Sequence, residues 1–266
     1  MVISYSLFLM FYPLKKDIFY SNDERLEEFI YTKINYPIVI VGSSLSIVFD
    51  GKSLFKQPSF DLCFPLSGAC TGIETIKRIN KIPSILLVEI NHIDRGEDSL
   101  LIKNIFSEPL FSLKQSLPIL LKKNQILHNV IDRFKTPQNN IINSQKPPAI
   151  LYNSLLASAQ KDCAESFNIE RFKKNFLILK ENLDALSKKG CIICFYELPM
   201  DSSLYKSPLL VYERNSINKL AAEKGYKCIE PDTSRNYNTG DGAHLLRTDG
   251  DIYIKYFLAS LAKLNI

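Results

Sequence analysis

Short, nearly continuous apolar runs alternate along this chain with stretches of helical spacing. The runs Pro37 to Val41, Leu62 to Leu66, Ile85 to Ile90, Ile192 to Tyr196 and Tyr226 to Ile229 are mostly β-branched or aromatic. Apolarity that does not alternate marks central strands of a parallel sheet, which is covered on both faces. Between the runs, Phe172, Phe176, Leu179, Leu183 and Leu186 recur at three- and four-residue steps and lead into Lys188, Lys189 and the stop residue Gly190. That spacing predicts a helix packed on the sheet. A last helix is expected to start near Thr248 or Asp249, either of which can cap it, with Ile254, Phe257, Leu258, Leu261 and Leu264 on one face. Strands alternating with helices predict a doubly wound α/β sheet.

The expected organisation is a single domain over residues 1–266, with an apolar segment at 1–20 and an insertion at roughly 95–165. The insertion is inferred because the third and fourth apolar runs lie about a hundred residues apart, more than one crossover helix requires. Within it, Lys135 to Pro148 is rich in Pro, Asn, Gln and Ser and reads as an exposed loop. Glu108 to Leu127 and Leu151 to Ala164 read as helical. Two roles stay open for the insertion: a lid or acceptor-binding surface over the strand ends, or stable decoration. Val2 to Leu14 is strongly apolar but has no basic leading residues, no small-residue cleavage site and too few residues to span a bilayer. Its readings are a strand or helix packed on the domain, a peripheral contact with a membrane surface, or the remnant of a longer anchored protein, and the expected location is cytoplasmic or membrane-associated.

Charge narrows the function classes. The formal charge of +5 comes from lysines scattered among acidic residues, without a basic run or glycine-rich arm that would track phosphates. Nucleic acid is therefore not an expected partner. The six cysteines lie mostly in or beside apolar segments and read as buried free thiols. Cys191 and Cys194 fall within an expected strand, where residues three apart face opposite ways and cannot chelate as a pair.

Three separated segments carry the candidate chemistry: Gly42-Ser43-Ser44, Glu89-Ile90-Asn91 and Asp241-Gly242-Ala243-His244. The first two close apolar runs, and ligands of open parallel sheets bind at the carboxyl ends of the strands. A serine hydroxyl needs a base to become a nucleophile. His244 can serve Ser44, with Asp241 three residues earlier to orient the imidazole and stabilise its charged form. Acyl transfer also needs donors aimed at the developing oxyanion. The backbone N–H groups of Ser44 and Gly68 and the side-chain amide of Asn91 are candidates, with Gly72 as a competitor. His92 adjoins Asn91 and lies near the same cleft, whereas His128 falls on a helical stretch; neither is assigned a catalytic role. The three histidines are dispersed and no H-E-x-x-H pair exists, so no metal or other cofactor is expected.

These blocks resemble those of the SGNH hydrolase family, also called GDSL-type esterases and lipases. The first-block Gly-Asp-Ser corresponds to Gly42-Ser43-Ser44, the second-block glycine to Gly68, the third-block asparagine to Asn91, and the closing Asp-x-x-His to Asp241 and His244. The chain departs from the pattern where Ser43 replaces an Asp and where Glu89 and His92 flank Asn91 in place of Gly and Asp. The resemblance implies a three-layer α/β/α sandwich with a five-stranded parallel sheet, and a serine esterase or O-acetyltransferase on a divergent branch that acts on acylated carbohydrate or surface polysaccharide. An α/β-hydrolase fits less well, since Ser46 stands where G-x-S-x-G requires glycine. From another class, a catalytically silent glycan-binding or assembly protein on the same fold remains open.

Overall fold

A computed structural model describes residues 21–49, 54–125, 145–165 and 167–266. The chain divides into two compact units, the described residues 21–35 with 98–125 and residues 36–97 with 145–266. In chain order the strands are β1 (Ile38–Gly42), β2 (Ser59–Cys63), β3 (Ile85–Glu89), β4 (Ile192–Tyr196) and β5 (Lys227–Cys228). The helices, likewise, are α1 (Asn22–Tyr31), α2 (Ala69–Ile79), α3 (Ser99–Ile105), α4 (Leu110–Ser116), α5 (Ala149–Glu165), α6 (Ile169–Ser187), α7 (Ser202–Tyr205), α8 (Pro208–Lys224) and α9 (Arg247–Lys263).

The larger unit holds an all-parallel five-stranded sheet of order β2-β1-β3-β4-β5, flanked by helices in a three-layer α/β/α arrangement. The apolar runs explain it: β1 is buried throughout, and β3 and β4 are buried on both faces except at their first residues. One face carries Ile38, Ile40, Leu87, Cys194 and Tyr196, and these pack with Phe49, Tyr253 and Phe257. Phe49 and Phe257 ring centroids lie 4.9 Å apart, and Tyr196 meets Phe257 edge-on at 5.2 Å. Each such fully buried ring or aliphatic side chain contributes roughly 1.5–3 kcal/mol relative to exposure. On the opposite face α2 packs against β1 so closely that a Cβ on Gly72 would lie 2.7 Å from Val41 Cγ1. Gly72 is thus a packing glycine.

Chain order fixes where a ligand can sit. The chain passes from β1 outward to β2, then returns across to β3 on the other side of β1. The connections diverge at the carboxyl ends of β1 and β3, the switch point where crevices form in such sheets.

Several boundaries differ from those expected. β2 ends at Cys63 rather than Leu66, because its pairing with β1 runs Ile38 with Ser59 to Gly42 with Cys63. Leu66 follows with φ 65° and is 91% exposed. The last helix begins at Arg247 and has no side-chain cap, because Asp249 instead accepts the N–H of Asn238 at 3.0 Å. The expected helix at 108–127 is broken: α4 stops at Ser116 and short 3-10 turns follow at Pro118–Leu120 and Lys122–Asn124. The helix expected at 151–164 is present as α5, and that at 172–186 as α6. All six cysteines are free, five of them buried and Cys228 partly so. Cys191 precedes β4 rather than lying in it. The segment 1–20, His128 and residues 135–144 of the loop 135–148 lie outside the described residues.

In the smaller unit, buried Glu27 of α1 accepts Lys114 Nζ at 2.6 Å and the N–H of Lys122 at 2.7 Å. Lys123 pairs with Glu28 at 2.6 Å. These bonds draw residues 98–125 together with α1, while α5, from the other end of the expected insertion, belongs to the sheet unit. Among the described residues, no helix is long and apolar enough to cross a membrane.

Candidate active site

β1 delivers Gly42 and then Ser43 to the end of the sheet, where the chain turns into a 3-10 segment beginning at Ser44. What holds this turn is a carboxylate from the neighbouring strand. Glu89, the last residue of β3, is fully buried. It accepts the Ser43 N–H at 2.9 Å, the Ser43 hydroxyl at 2.6 Å and the hydroxyl of Ser46. With the Ser46 proton committed to Glu89, the Tyr196 hydroxyl 2.6 Å away is the donor to Ser46 Oγ. A Cβ on Gly42 would collide with both Glu89 Oε2 and Ser46. Gly42 is required by this close approach, since its φ lies outside the left-handed region. Burial pushes the Glu89 carboxyl above its ordinary range, and the hydrogen bonds from Ser43 and Ser46 pull against that shift.

Ser44 Oγ lies 2.9 Å from His244 Nε2, across 200 positions of sequence. His244 Nδ1 lies 2.6 Å from Asp241 Oδ2. A carboxylate only accepts, so Nδ1 carries the proton and Nε2 is left to accept from Ser44. The loop bearing both residues is built by its own backbone. Asp241 Oδ1 accepts the N–H groups of Ala243 at 2.9 Å and His244 at 2.7 Å. Gly240 N–H bonds His244 O at 2.8 Å, and Thr239 bridges Leu245 in antiparallel fashion. Gly242 supplies the left-handed φ of 93° that this hairpin needs. Its carbonyl accepts the N–H of Asp201 at 2.7 Å, tying the hairpin to the segment after β4.

Burial alone would raise the Asp241 carboxyl, but the bonds from the His244 ring and from the N–H groups of His244 and Ala243 outweigh it and bring the group down to about 2. A carboxyl held lower in the folded than in the unfolded chain adds stability above its ordinary value of 3.8, and loses it as pH falls toward about 2. The stability difference between the parent chain and Asp241→Asn, from urea unfolding at a series of pH values, is therefore expected to be greatest above about pH 5 and to shrink progressively below that. A difference that stays flat down to pH 2 contradicts an ionised, bonded Asp241.

Gly68 caps α2 with extended backbone, and a Cβ there would sit 3.2 Å from His92 O. Among the described residues, neither the Ser44 nor the Gly68 N–H has an acceptor in the protein. Asn91 is buried, its amide donating to Leu198 O at 3.2 Å and to Met200 Sδ at 3.4 Å while its Oδ1 accepts the Leu198 N–H at 2.9 Å. It joins the ends of β3 and β4. A donor role at the serine requires this amide to leave one of those partners.

Ser44 and His244 open into a cleft of about 770 Å³ lined also by Leu66, His92, Arg95 and Arg171. His92 has φ 61°, and burial, with Arg95 and His244 adding to it, pushes its imidazole down to about 3. His92 is neutral at ordinary pH. Sequence reasoning missed Arg95, Arg171, Tyr196 and Glu213 and did not see what Glu89 does. One signal was present: Glu213 lies among Leu209, Leu210, Ile217 and Leu220, a charged residue on the apolar face of its helix.

No protein-family model matches this chain, and no curated protein sequence matches it.

Proposed function

We propose that this protein is a serine-dependent acyl ester hydrolase or O-acetyltransferase of SGNH type, which acts on acylated carbohydrate through an acyl-Ser44 intermediate. The observation that carries the reading is the continuous line from Ser44 Oγ through His244 to Asp241, at 2.9 and 2.6 Å. Ser44 Oγ attacks the ester carbonyl carbon as His244 Nε2 takes the hydroxyl proton, and Asp241 stabilises the imidazolium. The tetrahedral oxyanion is received by the N–H groups of Ser44 and Gly68. Asn91 joins them by giving up its bond to Met200 Sδ, since a thioether is a weak acceptor. Collapse breaks the bond to the alcohol oxygen, which takes the proton from His244. Water or a sugar hydroxyl then gives its proton to His244 and attacks the acyl carbon, and collapse breaks the bond to Ser44 Oγ, which takes the proton back from His244.

The cytoplasm or a membrane surface touched by Val2 to Leu14 is the proposed place of action. A fluorophosphonate probe tests the chemistry. Covalent labelling of the parent chain that disappears in Ser44→Ala is the expected result. An unlabelled parent chain removes the enzymatic reading and leaves the silent glycan-binding one. Hydrolysis and transfer separate in a second measurement, the share of acetyl passed to an added sugar acceptor rather than to water.

A further inference from the structure

The segment that follows β3 is held far more firmly than a connecting loop needs to be. Glu213 of α8, itself buried, accepts the N–H groups of His92 at 3.1 Å and Asp94 at 2.7 Å. From α6, Asn175 Nδ2 donates to Asp94 O at 2.7 Å and Arg171 Nη2 to Asp94 Oδ2 at 2.6 Å. Gly96, at φ 70°, leaves the space that Asn175 fills, because a Cβ there would lie 2.6 Å from Nδ2. Asp94 and Glu213 are two buried carboxyls side by side, a costly arrangement. Burial and the Asp94 charge hold the Glu213 carboxyl well above its ordinary range, and Asp94 Oδ1 has no hydrogen-bond partner among the described residues.

All this fixes a five-residue stretch of which only Arg95 is exposed. Its guanidinium forms no ion pair or hydrogen bond with the described protein, and it lines the cleft that contains Ser44 and His244. An unpaired guanidinium carried on a firmly held loop is suited to a planar anion. Across the cleft α5 contributes exposed Asp162 and Glu165, the latter 3.7 Å from Lys161. Those carboxylates disfavour a doubly charged ligand more than a singly charged one. Resting on the acyl-serine reading, we propose that Arg95 binds a carboxylate borne by the substrate, so that the preferred esters are acidic ones, with the charge either on the sugar or on the acyl group.

The test measures kcat/KM at low salt for two pairs: O-acetylated glucuronic acid against O-acetylated glucose, and 4-nitrophenyl hemisuccinate against 4-nitrophenyl acetate. One acidic member is expected to be preferred by about tenfold to a hundredfold. Preference within the first pair places the carboxylate on the sugar, and within the second on the acyl group. In Arg95→Ala the preference should fall to near unity, and Arg95→Lys should keep part of it as a point charge. Added salt should weaken it in the parent chain. Titration of glucuronate into Ser44→Ala protein, with Arg95→Ala added or not, reads the same site without turnover, and binding should depend on Arg95. If the probe labels Ser44 but neither acidic ester is preferred, or the preference survives Arg95→Ala in a chain that melts normally, this inference fails alone. If nothing is labelled or hydrolysed, the acyl-serine reading fails and takes this one with it.

Discussion

Ser44→Ala is expected to lower turnover of an activated acetyl ester by about 10⁴ to 10⁶-fold, and adding His244→Ala to it should cost almost nothing more, because on the proposed mechanism the pair acts as one unit. The reason lies in the proton path. The Ser44 hydroxyl is a weak nucleophile without a base, and an alanine at either end breaks the only route by which its proton reaches Nε2. Each single variant should thus be nearly as slow as the double one. Residual activity comes from whatever binding and oxyanion donors still supply. Circular dichroism and melting should be little changed, since Ser44 and His244 are both partly exposed and neither lies in the packed core. Effects that multiply across the two sites, or a His244→Ala chain that still turns over at the parent rate, exclude a Ser44–His244 relay.

The second large effect is structural in origin and catalytic in outcome. Glu89→Ala leaves three donors at the Ser43–Ser46 turn without their acceptor: the Ser43 N–H and the hydroxyls of Ser43 and Ser46. At about 1–3 kcal/mol for each unpaired buried group, a loss of at least about 3 kcal/mol is expected from urea unfolding. Turnover falls with it, since Ser44 follows directly on the residue that Glu89 holds. Glu89→Gln should be milder, because the amide keeps the shape and carries no charge. The pH dependence separates the two roles. Glu89 titrates higher in the folded chain than in the unfolded one, so its contribution to stability is full below its ordinary value of 4.5 and diminishes as pH rises through the folded value. The parent chain should lose ground to Glu89→Gln over that interval. Parent-like melting and kcat in Glu89→Ala would contradict the bonding described.

Two departures from the pattern that the sequence resembles meet at this carboxylate. The pattern the chain resembles has an acidic residue just before the nucleophile and a glycine two residues before the asparagine. Here Ser43 and Glu89 stand in those places, and Glu89 reaches back to bond both the N–H and the hydroxyl of Ser43. In this chain the acidic group beside the turn comes from the neighbouring strand. Ser43→Asp introduced into Glu89→Gly should accordingly regain part of the turnover that Glu89→Gly alone has lost.

How much of this was legible beforehand follows the range of the interactions. The central strands β1, β3 and β4 were readable because doubly covered strands are apolar almost throughout, and α6 because its leucines and phenylalanines keep helical spacing. The end of β2 was misplaced since apolarity continues through Phe64 and Leu66, and only pairing with β1 shows that the strand has already stopped. The cap of α9 was misread because Asp249 is a good capping residue by type but is drawn instead to Asn238. The triad could be anticipated, because Asp241 and His244 share one hairpin and Ser44 closes a strand. The grip of α6 and α8 on the Arg95 loop could not: Arg171, Asn175 and Glu213 are each separated from it by more than seventy residues, and nothing local marks them as neighbours.

The hairpin at Thr239 to Leu245 gives the protein an order of assembly. Every strand of the sheet, and Ser44 with it, precedes that hairpin in the chain. During synthesis every described strand is therefore made before the base and its acid, and the face of the sheet that holds Ile40 and Tyr196 is covered only when Tyr253 and Phe257 of α9 follow. Acid and base then arrive together, already oriented toward each other by a few backbone bonds, and a single long-range contact completes the relay. A chain that stops before this hairpin keeps Ser44 and every described strand but lacks both of the side chains proposed to act on that serine.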